Sequence, residues 1–194
     1  MEAVLEAMAA GQRAFGENYL QEGVEKIAAV ARAQPDTPVE WHFIGPIQSN
    51  KTRPIATSFA WVHTVERLKI AQRLSEQRPP EMGPLNVCLQ VNISGETTKS
   101  GATPSELPEL ARQVAALPNL KLRGLMAIPE AQADPALQRA AFAKLRVLAD
   151  ALRAGGLAID TLSMGMSGDM ASAIAEGATI VRVGSAIFGA RNYD

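Results

Sequence analysis

Cysteine is nearly absent. Cys88 is the single one in 194 residues, so no internal disulfide can form and a reducing compartment is expected. No run of about eighteen apolar residues occurs, which argues against a membrane-spanning helix. The opening residues Met1-Glu2-Ala3-Val4-Leu5-Glu6 lack the basic start and apolar core of a secretory leader. Excess charge of one sign is missing too: a net charge of -1 gives no electrostatic case for nucleic acid or an anionic membrane. The two histidines follow no H-x-x-x-H pattern and no C-x-x-C is present, so no metal is expected. No low-complexity stretch or linker interrupts the chain. What remains is ordinary globular material, 47% hydrophobic and 20% charged with Pro and Gly scattered, sufficient for one core and too little for two. A single domain over residues 1–194, in the cytoplasm, is the expectation.

The organising pattern is a strict alternation of short apolar runs with longer helical stretches. Strands are expected at 13–16, 40–45, 59–64, 86–93, 120–128, 159–164 and 179–183. Helices are expected at 1–10, 18–33, 49–57, 66–77, 103–117, 134–154 and 168–176, with a short helical end. Gly11 and Gly155-Gly156 read as helix-closing glycines, and Gln34-Pro35 and Pro79-Pro80 as stops. Continuous apolar strands such as Val87-Cys88-Leu89 suit a parallel sheet covered on both faces. The fold class is α/β, and two architectures fit. A (β/α)8 TIM-type barrel needs eight strands and typically about 250 residues, so its first strand would be missing, upstream of Met1. A doubly wound open sheet suits seven strands, but no G-x-G-x-x-G follows the first.

In a parallel barrel, chemistry sits where strands end. Polar residues gather there: Glu17 and Asn18, then Gln48, Asn50 and Lys51, then Asn92 with Ser94, then Ser163 with Ser167. Ser163-Met164-Gly165-Met166-Ser167-Gly168-Asp169 leads from strand to helix with Ser167 as a candidate N-cap, and Arg182-Val183-Gly184-Ser185-Ala186 does the same one unit later. Two such loops can cradle a phosphate with free backbone N–H groups; equally, they are ordinary turns and caps. Arg182 lies on a strand that should be buried, so it needs a carboxylate or a ligand acceptor. His42, His63 and Cys88 read as hydrogen-bonded or apolar core residues rather than as a base or nucleophile.

The segment Trp41-His42-Phe43-Ile44-Gly45-Pro46-Ile47-Gln48-Ser49-Asn50-Lys51, continuing to Ile55, resembles the signature of the pyridoxal-phosphate homeostasis proteins (YggS/PROSC type). Phe15-Gly16-Glu17-Asn18-Tyr19, Lys99-Ser100-Gly101, Gly124-Leu125-Met126, Ser163-Met164-Gly165-Met166-Ser167 and Val181-Arg182-Val183-Gly184 fit the same pattern in order. The resemblance implies a barrel like the N-terminal domain of alanine racemase, holding pyridoxal 5′-phosphate (PLP). It also implies a non-catalytic carrier or regulator of the vitamin B6 pool, with PLP-requiring apoenzymes as partners. Ser167, Gly184 and Ser185 would hold the phosphate with Met166 beside them, Arg182 would face the pyridine nitrogen, and Asn18 would lie near the ring. The family's cofactor lysine stands in a Val-Ser-Lys-Thr motif ending the first strand. That motif is not among the 194 residues, and none of the six lysines matches its position, so PLP binding is expected to be non-covalent at best. Lys51 and Lys99 are the lysines nearest strand ends. The alternative is a racemase-like PLP enzyme, which would need a tyrosine acid/base from another domain; the chain offers Tyr19 and Tyr193. A phosphate-binding isomerase would have only Asp169 near the phosphate loops.

Overall fold

Apolar runs too short to be helices become the strands of one six-stranded parallel sheet. The computed structural model describes residues 1–95 and 100–189. The strands are β1 (Ala14–Glu17), β2 (Glu40–Phe43), β3 (Trp61–Val65), β4 (Leu85–Gln90), β5 (Leu120–Met126) and β6 (Thr161–Ser163), paired in sequence order. The expected seventh strand shrinks to one bridge between Ile180 and Ser163. Thr179 and Ile180 still donate their N–H groups to Leu162, but beyond Ile180 the chain turns inward, and Arg182 N donates to the Gly165 carbonyl.

The intervening segments form α1 (Glu2–Ala9), α2 (Leu20–Ala33), α3 (Thr52–Ser58), α4 (Leu68–Gln77), α5 (Leu107–Ala115), α6 (Pro135–Ala154), α7 (Met170–Ala175) and α8 (Ser185–Phe188). α6 starts because the Asp134 side chain accepts from Ala136 N at 2.8 Å. It stops at Gly156, whose φ of +92° favours a residue without Cβ. Among the described residues no helix is long and apolar enough to cross a membrane.

Side-chain contacts decide between open sheet and barrel. In a flat sheet β3 and β6 would lie about 14 Å apart, three strand spacings. Yet His63 on β3 meets Ser163 on β6 at 2.7 Å, and the Arg123 guanidinium of β5 lies 4.6 Å from the centre of the Trp61 ring of β3. The sheet is therefore curled around an interior. Most apolar side chains pack on its outer face against the helices, led by Phe43, Phe59, Phe142, Leu89 and Leu125. A smaller inner cluster of Trp61, Cys88 and Met126, with Ile180, fills the lumen, as layered side chains fill a TIM-type barrel. The curl depends on close backbone approach: a Cβ on Gly124 would stand 1.8 Å from the Thr161 carbonyl oxygen.

Candidate functional site

All six strands are parallel, so their C-terminal ends share one face and the loops after them converge there. The 163–169 loop is shaped by Gly165, whose φ of +95° brings it within reach of Ala173. The Asp169 carboxylate accepts from Met166 N at 2.6 Å. Asp169, not Ser167, occupies the N-cap of α7. Ser167 is not that cap because its hydroxyl turns away and accepts from Ala186 N at 3.3 Å, joining the loop to the start of α8. Within the two joined loops the backbone N–H groups of Ser167, Gly168, Gly184 and Ser185 donate to no acceptor among the described residues. Gly184 has open space on its Cβ side. This is a concentration of unspent donors, the arrangement an anion requires.

Arg182 stands beneath it. Its Nη1 donates to Ser163 Oγ at 2.6 Å and its Nη2 to the Ala127 carbonyl at 3.1 Å. A guanidinium carries five N–H groups; among the described residues the other three find no acceptor. The partner expected from burial is therefore not a carboxylate. Desolvation pushes Arg182 down to about 10, against the opposing pull of Cys88 and Asp169, and it remains a cation near neutrality. Burial pushes the Cys88 thiol up to about 12, which removes it as a nucleophile.

Below Arg182 a line of polar side chains runs through the lumen beside the apolar cluster. His63, fully buried, bonds Ser163 through Nδ1 and His42 Nδ1 through Nε2 at 2.8 Å; His42 Nε2 meets Glu40 Oε1 at 3.0 Å. Both histidines are the hydrogen-bonded core residues expected. Burial lowers His42 while Glu40 pulls it back up; burial, then His42 and Arg182, hold His63 well below its usual value.

Met166, Ser167, Arg182, Gly184 and Ser185 thus come together. Asn18 lies on the same face at the β1 edge, its carbonyl so close to Gly45 that a Cβ there would sit 1.9 Å away. No hydrogen bond among the described residues joins Asn18 to the other five. Glu17 is drawn off to Lys26 at 2.5 Å. Lys51 is exposed on a 3-10 turn, and Tyr19 is exposed at the N-cap of α2. Lys99 and Tyr193 lie outside the described residues. Ser163 and the Ala127 carbonyl were missed as partners of Arg182, because the curl that brings them together has no local sequence signal.

The family described as alanine racemase, N-terminal domain, matches residues 1–192. A pyridoxal phosphate homeostasis protein of Pseudomonas aeruginosa is 65% identical over 191 residues, covering 98% of this chain and 80% of the relative. One from Escherichia coli is 54% identical, with 98% and 81% covered. The structure of PipY from Synechococcus elongatus with PLP bound is 39% identical with a TM-score of 0.87, covering 97% of this chain and 87% of that one. An alanine racemase from Clostridium difficile, at 14% identity and a TM-score of 0.72 over 94% of this chain and 46% of its own, shares the fold.

Proposed function

The chain belongs to the alanine racemase N-terminal-domain family and, within it, to the pyridoxal phosphate homeostasis proteins, and from that premise we propose that it binds PLP as a carrier or regulator of the PLP pool. The observation that carries this reading is the stack of donors left unspent among the described residues: four backbone N–H groups in two joined loops and three N–H groups of the Arg182 guanidinium. A phosphate and a ring nitrogen are acceptors of the kind those two levels lack, so the residues present fit the group. Ser167, Gly184 and Ser185 would hold the phosphate with Met166 beside them, Arg182 would face the pyridine nitrogen, and Asn18 would flank the ring.

When bound, PLP supplies an aldehyde and an electron-withdrawing ring. Arg182 can only donate and stays charged, so a pyridine nitrogen held by it would stay unprotonated and the ring would withdraw electrons weakly. That supports storage and delivery over turnover, in keeping with relatives named for homeostasis rather than racemisation. PLP-requiring apoenzymes in the cytoplasm are the receivers this reading implies, with residues 1–194 acting as one binding unit.

Equilibrium dialysis against PLP tests it. Reversible binding is expected, weakened about tenfold or more by Arg182→Met and by Ser167→Ala, the cost of one charge-assisted or anion-directed hydrogen bond. Borohydride reduction followed by peptide mass is expected to leave no lysine modified. Absence of binding, or wild-type affinity in both variants, contradicts the reading. A reduced adduct on Lys51 or Lys99 would contradict its non-covalent form.

A further inference from the structure

The polar groups in the lumen form one unbroken line: Glu40, His42, His63, Ser163 and Arg182, with links of 3.0, 2.8, 2.7 and 2.6 Å. Its two ends dictate the direction of every hydrogen. Arg182 can only donate, so Ser163 Oγ accepts from it and keeps its own hydrogen available for His63 Nδ1. At the other end a carboxylate can only accept, so His42 Nε2 carries a hydrogen toward Glu40. His42 and His63 are then each protonated at Nε2 and bare at Nδ1, and His63 donates to His42. The reverse arrangement would set a bare His42 nitrogen against the Glu40 carboxylate, unless an additional proton enters a buried ring, which desolvation opposes.

We propose that Glu40, His42, His63 and Ser163 form a one-directional hydrogen-bond relay whose role is to position the Arg182 guanidinium at the floor of the site. Ser163 and the Ala127 carbonyl hold two corners of the guanidinium, which leaves its remaining N–H groups for a ligand. His63 cannot touch that ligand, because both its nitrogens are occupied inside the lumen; it acts through Ser163 and is a positioning residue. Trp61 keeps the line in place from the side, stacked on His42 at 5.4 Å with an interplanar angle of 12°. Glu40, with a side chain 52% exposed, anchors the line at the opposite end of the sheet. The consequence for PLP rests on the reading proposed above, whereas the relay itself does not.

The experiment therefore has two arms. In the first, protein labelled with 15N-histidine is examined without PLP at pH 7 by long-range proton–nitrogen correlation. Both rings are expected to be neutral with the hydrogen on Nε2, and a hydrogen on Nδ1 or an imidazolium at either ring overturns the relay. In the second, PLP is titrated into wild type, His63→Phe and His63→Gln, following the absorption band of bound PLP as well as affinity. A glutamine amide can accept from Ser163 and donate to His42. His63→Phe is expected to bind about tenfold more weakly with a displaced band, and His63→Gln to recover most of both, since one charge-linked hydrogen bond carries about that factor. Wild-type affinity and band in His63→Phe overturn the positioning role. Failure of wild type to bind PLP at all overturns the functional reading instead, while the histidine spectra still decide the relay.

Discussion

Two arginines at opposite ends of the sheet are used in opposite ways. Arg78, after α4, donates to four carbonyls: Ala56, Phe59, Met82 and Gly83, at 2.7 to 3.2 Å. It ties the C-terminal end of α3 to the turn that enters β4, and hardly a donor is left over. Arg182, at the other end, gives two bonds, and its other three N–H groups find no acceptor among the described residues. The face carrying Arg78 is saturated and serves stability. The face carrying Arg182, Ser167 and Gly184 holds polar groups that no acceptor among the described residues satisfies. A site is recognisable here less by its residue types than by donors left unspent.

Glycine substitutions break this contrast most sharply. Gly124→Ala would drive a Cβ into the Thr161 carbonyl at 1.8 Å, and because backbone cannot yield there, a loss of about 3 kcal/mol or more is expected in urea unfolding. Arg78→Met comes next: four carbonyls lose their donor, the buried ones of Ala56 and Phe59 among them, and about 3 kcal/mol of stability should go with them, while PLP affinity of the folded protein is unchanged. Arg182→Met should cost only about 1 kcal/mol of stability, since two bonds go and an incompletely satisfied buried charge goes with them, yet it should weaken PLP binding. Equal losses of stability for the two arginine variants would erase the distinction between the faces.

The lumen sharpens the same comparison through pH. His42 and His63 have folded pKa values lowered from 6.5, so below that value the unfolded chain takes up protons that the folded chain refuses. Stability should therefore fall as pH drops below about 6.5, at up to about 1.4 kcal/mol per pH unit for each histidine. His63→Phe should flatten that slope; an unchanged slope would show that the buried rings are not its source. The smallest effect belongs to Gly184→Ala. With ordinary φ and open space on its Cβ side, it should change the unfolding free energy by less than about 0.5 kcal/mol while still narrowing the space open to a ligand there.

The alternation of helix and strand was legible because each unit carries its own punctuation, such as Asp134 and Gly156 at the two ends of α6. The seventh strand was less so: Thr179-Ile180-Val181 reads as a strand, but the chain leaves the sheet after Ile180 to let Arg182 enter the site. Ser167 and Asp169 are both good N-caps locally, and the choice between them is made by Ala186, nineteen residues on from Ser167. The gathering of Met166, Ser167, Gly184 and Ser185 was readable from two successive strand-to-helix loops. The relay was not. His63 and Ser163 are one hundred residues apart and on strands that are not neighbours, so only the curl of the sheet makes them partners.

The most direct test of the unspent-donor account is urea unfolding of wild type, Arg182→Met and Arg78→Met with and without PLP in excess. A ligand that binds only the folded state adds about 2.7 kcal/mol at one hundred times its dissociation constant. The account predicts a rise of that order in wild type and in Arg78→Met, and at the same PLP concentration a rise of no more than about 1.4 kcal/mol in Arg182→Met, whose affinity is at least about tenfold lower. No rise in wild type, or the same rise in both arginine variants, would contradict it.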